Sequence, residues 1–391
     1  MHYICMYKRQ IYTKGFTMQA MKLDIKKAQP IYKQIRGEIM RMLREGKLSP
    51  GSKLPTEHKI AEQFGISRGT VRQALSKLTQ EGIVERFPKR GTFISIDHLQ
   101  VIMRIGVISP ILKLKGGIHK DPFCIEMLSG LYEGMMRSGG MVVPIQEKDN
   151  PDAVIKECEK RKVDGLIFLL PVSKDKELVA QLNQKLNIPF ICIGSDIDDN
   201  VNFITGDDRY GSKLAVEHLL ELGHSRIGGI FVNCGEPASA KRYEGFKSTL
   251  KTHGISIDNS MLKIVQRDAK GICFQESLQA TRELLDSTPN LSAIYAGGVE
   301  PLLAASQIVK QAGLKIPKDI SLIGYDDFFM AGFSDPSFSV ISQPVWEMGS
   351  RGVDILMKLI MNKKLDQNKA IQEKLIPELI IRNSTCSQAI I

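Results

Sequence analysis

The chain has 391 residues, 43% hydrophobic and 25% charged, the balance of a globular protein too long for one small domain. No apolar run approaches the ~18 residues of a membrane-spanning helix, and Lys8, Arg9 and Lys14 break the mildly apolar start before any export signal develops. Residues 1–96 carry 19 Lys+Arg against 7 Asp+Glu whereas the rest carries 34 against 36, so the net charge of +10 reflects a basic front end that suits a polyanion on a near-neutral body.

Residues 1–22 read as a disordered tail, with Met18 or Met21 as alternative translation starts. Over 30–45, Ile31, Ile35, Ile39 and Met42 recur at helical spacing behind Pro30 and stop at Gly46. The turn LSPGSKLP then leads into 54–82, which reads as two helices around a tight turn. Thr56 is an N-cap, Glu57 suits the first turn, and Ile60, Ala61 and Phe64 form an apolar stripe that Gly65 ends. Ser67 caps the second helix, where Val71, Leu75 and Leu78 face inward and Gly82 terminates. Its first turn and outer face carry Arg68, Thr70, Arg72 and Gln73, side chains that suit phosphate oxygens and base edges in a major groove. An ordinary helical hairpin with a solvated basic face is the alternative. Two β-prone runs, 83–86 and 92–96, flank Phe87-Pro88-Lys89-Arg90-Gly91, a hairpin whose tip brings Lys89 and Arg90 toward backbone phosphate or the minor groove, or leaves them solvated.

The motifs PIYKQIRGEI, LSPGSKLPTE, SRGTVRQALSKL and GTFI resemble the gluconate-repressor (GntR) winged-helix module over about 70 residues. That resemblance implies DNA contacts from Glu57, from the triplet Arg68, Thr70 and Arg72, and from the wing glycine, Gly91, with Arg90 beside it. His58 stands where the family commonly has Arg or Lys, and Lys89 where it commonly has Gly. The expected head is therefore 23–96, followed by a short linker, 97–103.

From Arg104 the pattern changes to strand–helix alternation. Strand-like runs include IGVIS (105–109), MVVPI (141–145), DGLIFLL (164–170), PFICIG (189–194), RIGGIFV (226–232), SAIYAGG (292–298) and SLIGYDD (321–327). Helical stretches such as 124–138, 152–162, 175–186, 208–222, 238–253, 275–287 and 300–312 lie between them. This alternation predicts an α/β body of doubly wound parallel sheets, split into two layers rather than one oversized sheet, with ligands at the carboxyl ends of strands in a cleft between lobes.

DPF (121–123), DGLIF (164–168), DDRYGSKLAVEHLLELGHSRIGGI (207–230), KRYEGF (241–246), AGLKIPKDISLIGYDD (312–327) and PELIIR (377–382) resemble the lactose/galactose-repressor (LacI/GalR) effector domain, itself similar to periplasmic sugar-binding proteins. The resemblance covers nearly all of 104–386 and implies a two-lobed, periplasmic-binding-protein-like domain. A GntR head on such a body resembles the arabinose-repressor group.

Sugar sites need bidentate side chains for paired hydroxyls and aromatic or apolar surface for ring faces. Arg242, near a helix start, offers a five-donor fork to a cleft, and the resemblance places it on the family's effector-binding arginine. Asp326 closes the SLIGYDD strand, where the family accepts from sugar hydroxyls, while Asp327 reads as a helix or turn cap. The resemblance makes Phe123 a wall against the ligand, with core packing as the alternative; Gln343 near the third crossover is a weaker candidate. Gly297-Gly298 stands where the family usually has Asn-Asp, so either the effector differs or the backbone and a neighbour such as Glu300 replace the amide.

Of the catalytic motifs, G-x-G-x-x-G, the P-loop and H-E-x-x-H do not occur. His218 and His224 flank a helix end and read as structural. The seven cysteines, Cys5, Cys124, Cys158, Cys192, Cys234, Cys273 and Cys386, are odd in number, scattered and without C-x-x-C, as reduced core thiols would be. The expectation is a non-enzymatic, cytoplasmic, homodimeric repressor on double-stranded operator DNA, with no cofactor, metal or membrane partner. A small sugar, arabinose or a related pentose, would release it. The alternatives are a regulator responding to a polar metabolite such as a nucleoside, and a solute-binding transport protein.

Overall fold

A computed structural model describes residues 30–44, 48, 51–88, 90–95, 103–109, 122–146, 150–233, 235, 237–267, 272–361 and 370–388. The expected tail 1–22, linker positions 97–102, Lys89, Asp121, Cys5 and Cys234 lie outside the described residues. The chain divides into two units, one holding the residues up to Arg104 together with the short stretches 138–141 and 357–365, and the other the remainder.

In the first unit, α1 (Ile31–Arg44), α2 (Glu57–Phe64) and α3 (Arg68–Gln80) precede the hairpin β1 (Val84–Phe87) and β2 (Gly91–Ile94). Thr56 Oγ1 accepts from Lys59 N at 3.3 Å to start α2. Gly65 ends it with a left-handed φ of 63°, and its N–H returns to Ala61 O. Two residues later Ser67 Oγ accepts from Thr70 N at 3.0 Å and starts α3. Ile35, Ile39, Ile60, Val71, Leu75, Leu78, Val84 and Ile94 close one apolar core beneath these elements. The strands start and end a residue or two away from the expected 83–86 and 92–96. The turn closes on Arg90 N–H to Phe87 O (3.0 Å), which brings Phe87 opposite Gly91 and draws both into the ladder.

The second unit is entered within β3 (Met103–Ile108) and runs on through α4 (Pro122–Ser138), β4 (Gly140–Pro144), α5 (Pro151–Arg161), β5 (Gly165–Leu169), α6 (Lys176–Lys185), β6 (Phe190–Ile193) and β7 (Phe203–Gly206). It continues through α7 (Asp208–Glu221), β8 (Ile227–Asn233), α8 (Pro237–Thr252), β9 (Leu262–Gln266), α9 (Phe274–Ser287), β10 (Ala293–Ala296), α10 (Val299–Gln311), β11 (Ser321–Tyr325) and β12 (Ser339–Ser342). It ends with α11 (Val345–Met361), β13 (Gln372–Leu375) and β14 (Glu378–Ile380). Two six-stranded sheets result, ordered β13-β7-β6-β5-β3-β4 and β14-β12-β11-β10-β8-β9. β14 runs antiparallel to β12, while β5, β6, β8, β10 and β11 pair in parallel with their neighbours, as the expected doubly wound layers require.

Each sheet has its own core. Leu166, Phe168, Phe190 and Cys192 anchor the first lobe; Ile230, Ile294, Leu322 and Val340 anchor the second. The chain passes between lobes after β7, after β12 and after β13. The second passage leads into α11, which packs on α4 of the first lobe so closely that a Cβ on Gly130 would collide with Trp346 O. β7, β9, β12, β13, β14 and α11 are elements that the sequence reading did not single out; β13 alternates exposed polar residues (QEKL) along a sheet edge.

Candidate functional site

In the first unit, the caps present one polar edge. Ser67 Oγ lies 2.8 Å from Thr70 Oγ1 as well as receiving the Thr70 N–H, so the hydroxyl of Thr70 is held at the first turn of α3. Arg68 and Arg72 are exposed on the same helix, away from the buried face of Val71, Ala74 and Leu75. Glu57 is not a free contact group. Its Oε2 accepts from Arg72 Nε at 3.1 Å and its Oε1 from Arg86 Nη2 at 2.8 Å. Sequence reasoning passed over Arg86 because it sits in a β-strand without a motif. At the hairpin tip, exposed Arg90 lies with its guanidinium 5.8 Å from the Phe87 ring centroid. Gly91 has φ 118°, a conformation that glycine adopts without strain, and a Cβ there would press to 2.9 Å of Lys53 Cε.

In the second unit, the carboxyl ends of β10, β11 and β12 converge with the starts of α7 and α8. Arg242, in the second turn of α8, is buried. Its Nε donates to Asp208 Oδ1 at 2.8 Å, and its Nη1 donates to Gly297 O at 3.1 Å and Asp326 Oδ2 at 3.0 Å. Its guanidinium carbon lies 3.9 Å over the Tyr325 ring centroid. The arginine is therefore a tethered fork rather than the open one expected, and only Nη2 has no hydrogen-bond partner among the described residues. Gln343 Nε2 donates to the other oxygen of Asp326, Oδ1, at 2.6 Å. Gln343 stands at the second passage between lobes, not the third, because β13 and its return to β14 come later in the chain. Its Oε1 lies over Gly206 at the end of β7, where a Cβ would collide with it, so the residue touches both lobes.

The structure brings Arg242, Asp326 and Gln343 into one network. Asp208, at the start of α7, completes it, although the sequence reading did not single it out. Phe123 is half-buried in the first turn of α4, and 110–121 before it lie outside the described residues. Asp327 Oδ2 accepts from Arg382 Nη2 at 2.8 Å. Glu300 is also engaged elsewhere, accepting from the N–H and Sγ of Cys273 at 2.8 Å each. At the end of β10 a Cβ on Gly297 would crowd Phe231 Cδ1 at 3.0 Å, whereas a Cβ on Gly298 would approach only Pro301 Cδ, at 3.9 Å. The open side-chain position is thus that of Gly298, while Gly297, in the place of the amide, is crowded and offers Arg242 its carbonyl.

Electrostatics follow from burial. Desolvation pushes the Asp208 carboxyl above its usual range, against the pull of the Arg242 guanidinium. Burial alone would lower Arg242, yet Asp326 and Asp208 outweigh it and hold the guanidinium well above its ordinary value. Asp196 after β6 pairs across the lobes with Lys241 of α8 and, within its own lobe, with Lys374 of β13 at 3.1 Å. Burial acts to raise the Asp196 carboxyl, but these two ammonium groups bring it below the usual range. Burial also raises Glu126 of α4, which faces Asp327 and Asp326, against a hydrogen bond from the Trp346 backbone.

The remaining titratable groups are structural in their surroundings. His224 donates from Nε2 to Cys386 O at 3.0 Å, and His218 Nε2 lies 3.0 Å from Thr385 Oγ1. Burial pushes the Cys158 thiol up to about 11 and the Cys273 thiol to about 12, so neither is a thiolate at neutral pH. Among the described residues no group of three His, Cys, Asp or Glu is placed to hold a metal ion. No helix among them is long and apolar enough to cross a membrane.

Residues 31–94 match the family model described as bacterial regulatory proteins of the gntR family, and residues 216–385 match the periplasmic binding protein-like domain. An arabinose metabolism transcriptional repressor of Geobacillus stearothermophilus is 29% identical over 374 residues, which span 92% of this chain and 98% of that protein. The solved complex of the transcriptional regulator CelR with cellobiose superposes with a TM-score of 0.63 at 20% identity, over 85% of this chain and 100% of that one. A LacI family transcriptional regulator from Enterococcus faecium with bound ribose superposes with a TM-score of 0.58 at 25% identity, over 73% of this chain and 99% of that one.

Proposed function

This chain joins a gntR-type helix-turn-helix domain to a periplasmic binding protein-like domain, and we propose that it is a repressor of carbohydrate-utilisation genes that a small sugar releases from its operator. The head is taken as 23–96 and the body as 104–386, with 97–103 as linker and 1–22 as a tail. The observation that carries the reading is the presence, in one chain, of a capped helix with exposed Arg68 and Arg72 and a buried Arg242–Asp208–Asp326–Gln343 network at a lobe passage.

On DNA, α3 enters a major groove, with Arg68, Thr70 and Arg72 toward base edges and phosphates and with Arg90 and Gly91 of the wing against the backbone. In the body, a carboxylate has about four acceptor sites, and Asp326 uses one on each oxygen. The spare lone pairs of Asp326 and the free Nη2 of Arg242 together fit a pair of neighbouring hydroxyls, one donating and one accepting. Phe123 supplies the wall against a ring face. A ligand that fixes Asp326 and Gln343 also fixes a residue that touches both lobes, which biases their closure. Such coupling is typically ~1–3 kcal/mol, enough to shift operator occupancy.

Two copies on an inverted repeat account for the exposed apolar side chains Tyr132 and Met136 on the first lobe and Phe329 and Phe333 on the second, which a dimer interface would cover. A regulator of this kind works in the cytoplasm and performs no catalysis.

The relative from Geobacillus points to arabinose, and another pentose would satisfy the same donors and acceptors. The experiment is release of the protein from DNA upstream of its own locus by arabinose, ribose, hexoses and nucleosides in turn. Release by a pentose, lost in Arg242→Ala while DNA affinity stays, is the expected outcome. Release by nucleosides alone would transfer the site to the reading of a regulator that responds to a nucleoside. Unchanged DNA binding by Arg68→Ala and Arg72→Ala, where ~1–3 kcal/mol should be lost, would overturn the assignment of α3.

A further inference from the structure

Glu57 poses an electrostatic problem for a surface that faces DNA. It opens α2 beside the recognition helix, and a carboxylate there repels phosphate unless its charge is used. The geometry answers the problem. Glu57 is held between two arginines from different elements, Arg72 of α3 at 3.1 Å and Arg86 of β1 at 2.8 Å. Its side chain is 21% exposed, whereas Arg72 is 63% and Arg86 38% exposed. The carboxylate is thus tucked beneath the two cations it orients.

We propose that Arg86 is a further DNA-contacting residue and that Glu57 is a positioning residue, which splints Arg72 and Arg86 into one double-arginine clamp without touching DNA. This inference rests on the reading of the first unit as a DNA-binding head. Three features carry it. Glu57 engages Nε of Arg72, which leaves both terminal nitrogens of that guanidinium for a guanine edge or a phosphate. It engages one terminal nitrogen of Arg86, which leaves the other and Nε for a neighbouring phosphate. The shared carboxylate ties the helix to the wing strand, so both cations reach the duplex in a fixed register and lose little side-chain freedom on binding. The trio has a net charge of +1, so it attracts the backbone despite the carboxylate.

The test uses the full chain and two probes, a duplex selected by the wild-type protein from a random-sequence pool and an unselected duplex, titrated by fluorescence anisotropy across a salt series. Arg86→Ala should weaken binding to both duplexes on the order of tenfold and reduce the slope of log affinity against log salt by about one, the signature of one lost phosphate contact. Arg86→Lys should recover the slope because it retains the charge. Glu57→Gln removes a negative charge yet frees both arginines. It should hold or raise affinity for the unselected duplex and lower it for the selected one, so that the ratio between them contracts.

An unchanged slope in Arg86→Ala would overturn the contact, because a purely structural arginine lowers stability without altering the number of counterions released. An equal rise of both affinities in Glu57→Gln would overturn the positioning role and leave Glu57 as simple repulsion. Failure of the DNA-binding reading itself looks different: the wild-type protein would then select no duplex at all.

Discussion

Arg242 and Asp208 are the residues whose charges cost most to hold. Their side chains are 10% and 4% exposed, and each is stable inside only because the other is 2.8 Å away. Arg242→Ala strands a carboxylate that burial already pushes upward, and removing one partner of such a pair typically costs ~3–5 kcal/mol. Adding Asp208→Asn removes the stranded charge, so the double variant should recover much of that loss in urea unfolding without regaining a response to sugar. A double variant as unstable as the single one would show that packing under Tyr325, not charge, sets the penalty. At this scale Arg242 and Asp326 were site candidates because they lie in the local motifs KRYEGF and SLIGYDD, whereas Gln343 lies in neither. Asp208 was not a candidate, since nothing in its neighbourhood reveals that a guanidinium from α8, 34 residues later, becomes its partner.

Among elements, the two short helices of the head depend on their caps more than on length. α2 has only 8 residues and α3 has 13, both marginal as isolated helices. Ser67→Ala removes the bond to Thr70 N and the contact that orients the Thr70 hydroxyl. It should lower the stability of the head by about 1 kcal/mol and weaken operator binding, whereas Ser67→Thr should keep both. Hydrogen exchange at the start of α3 and a binding titration read the two effects; unaltered protection in Ser67→Ala would mean that tertiary packing alone holds the turn. These helices were legible because stripe, cap and stop all lie within a few residues of one another. β13 and β14 were not. Their residues alternate or sit at an edge, and they become strands only because β7 and β12 offer free ladders to them.

For the whole molecule, two histidines link stability to pH. Burial lowers His218 and His224 below the ordinary 6.5. Between that lowered value and 6.5 the unfolded chain binds more protons than the folded one, so stability rises with pH across the window and is lost as pH falls through it. The midpoint of thermal unfolding should therefore drop as the protein is taken from pH 7.5 to 5.5, and Asn at both positions should flatten the profile. Equal slopes in the variant and the parent would assign the acid sensitivity elsewhere. Asp196 acts in a lower window. Its carboxyl is held below 3.8 by Lys241 and Lys374, so its contribution is complete above that value and vanishes as pH falls through the folded one.

The two capped helices of the head, the strand–helix alternation of the body and the basic front end were readable along the chain, because periodicity, caps and charge runs are properties of near neighbours. Tertiary structure alone decided that Glu57 belongs to Arg72 and Arg86, that Arg242 is tethered rather than open, and that Gln343 touches both lobes. Those pairings join residues 15, 29, 34 and 84 positions apart, and only the closing of helices over sheets sets the few ångströms on which a hydrogen bond or a buried charge depends.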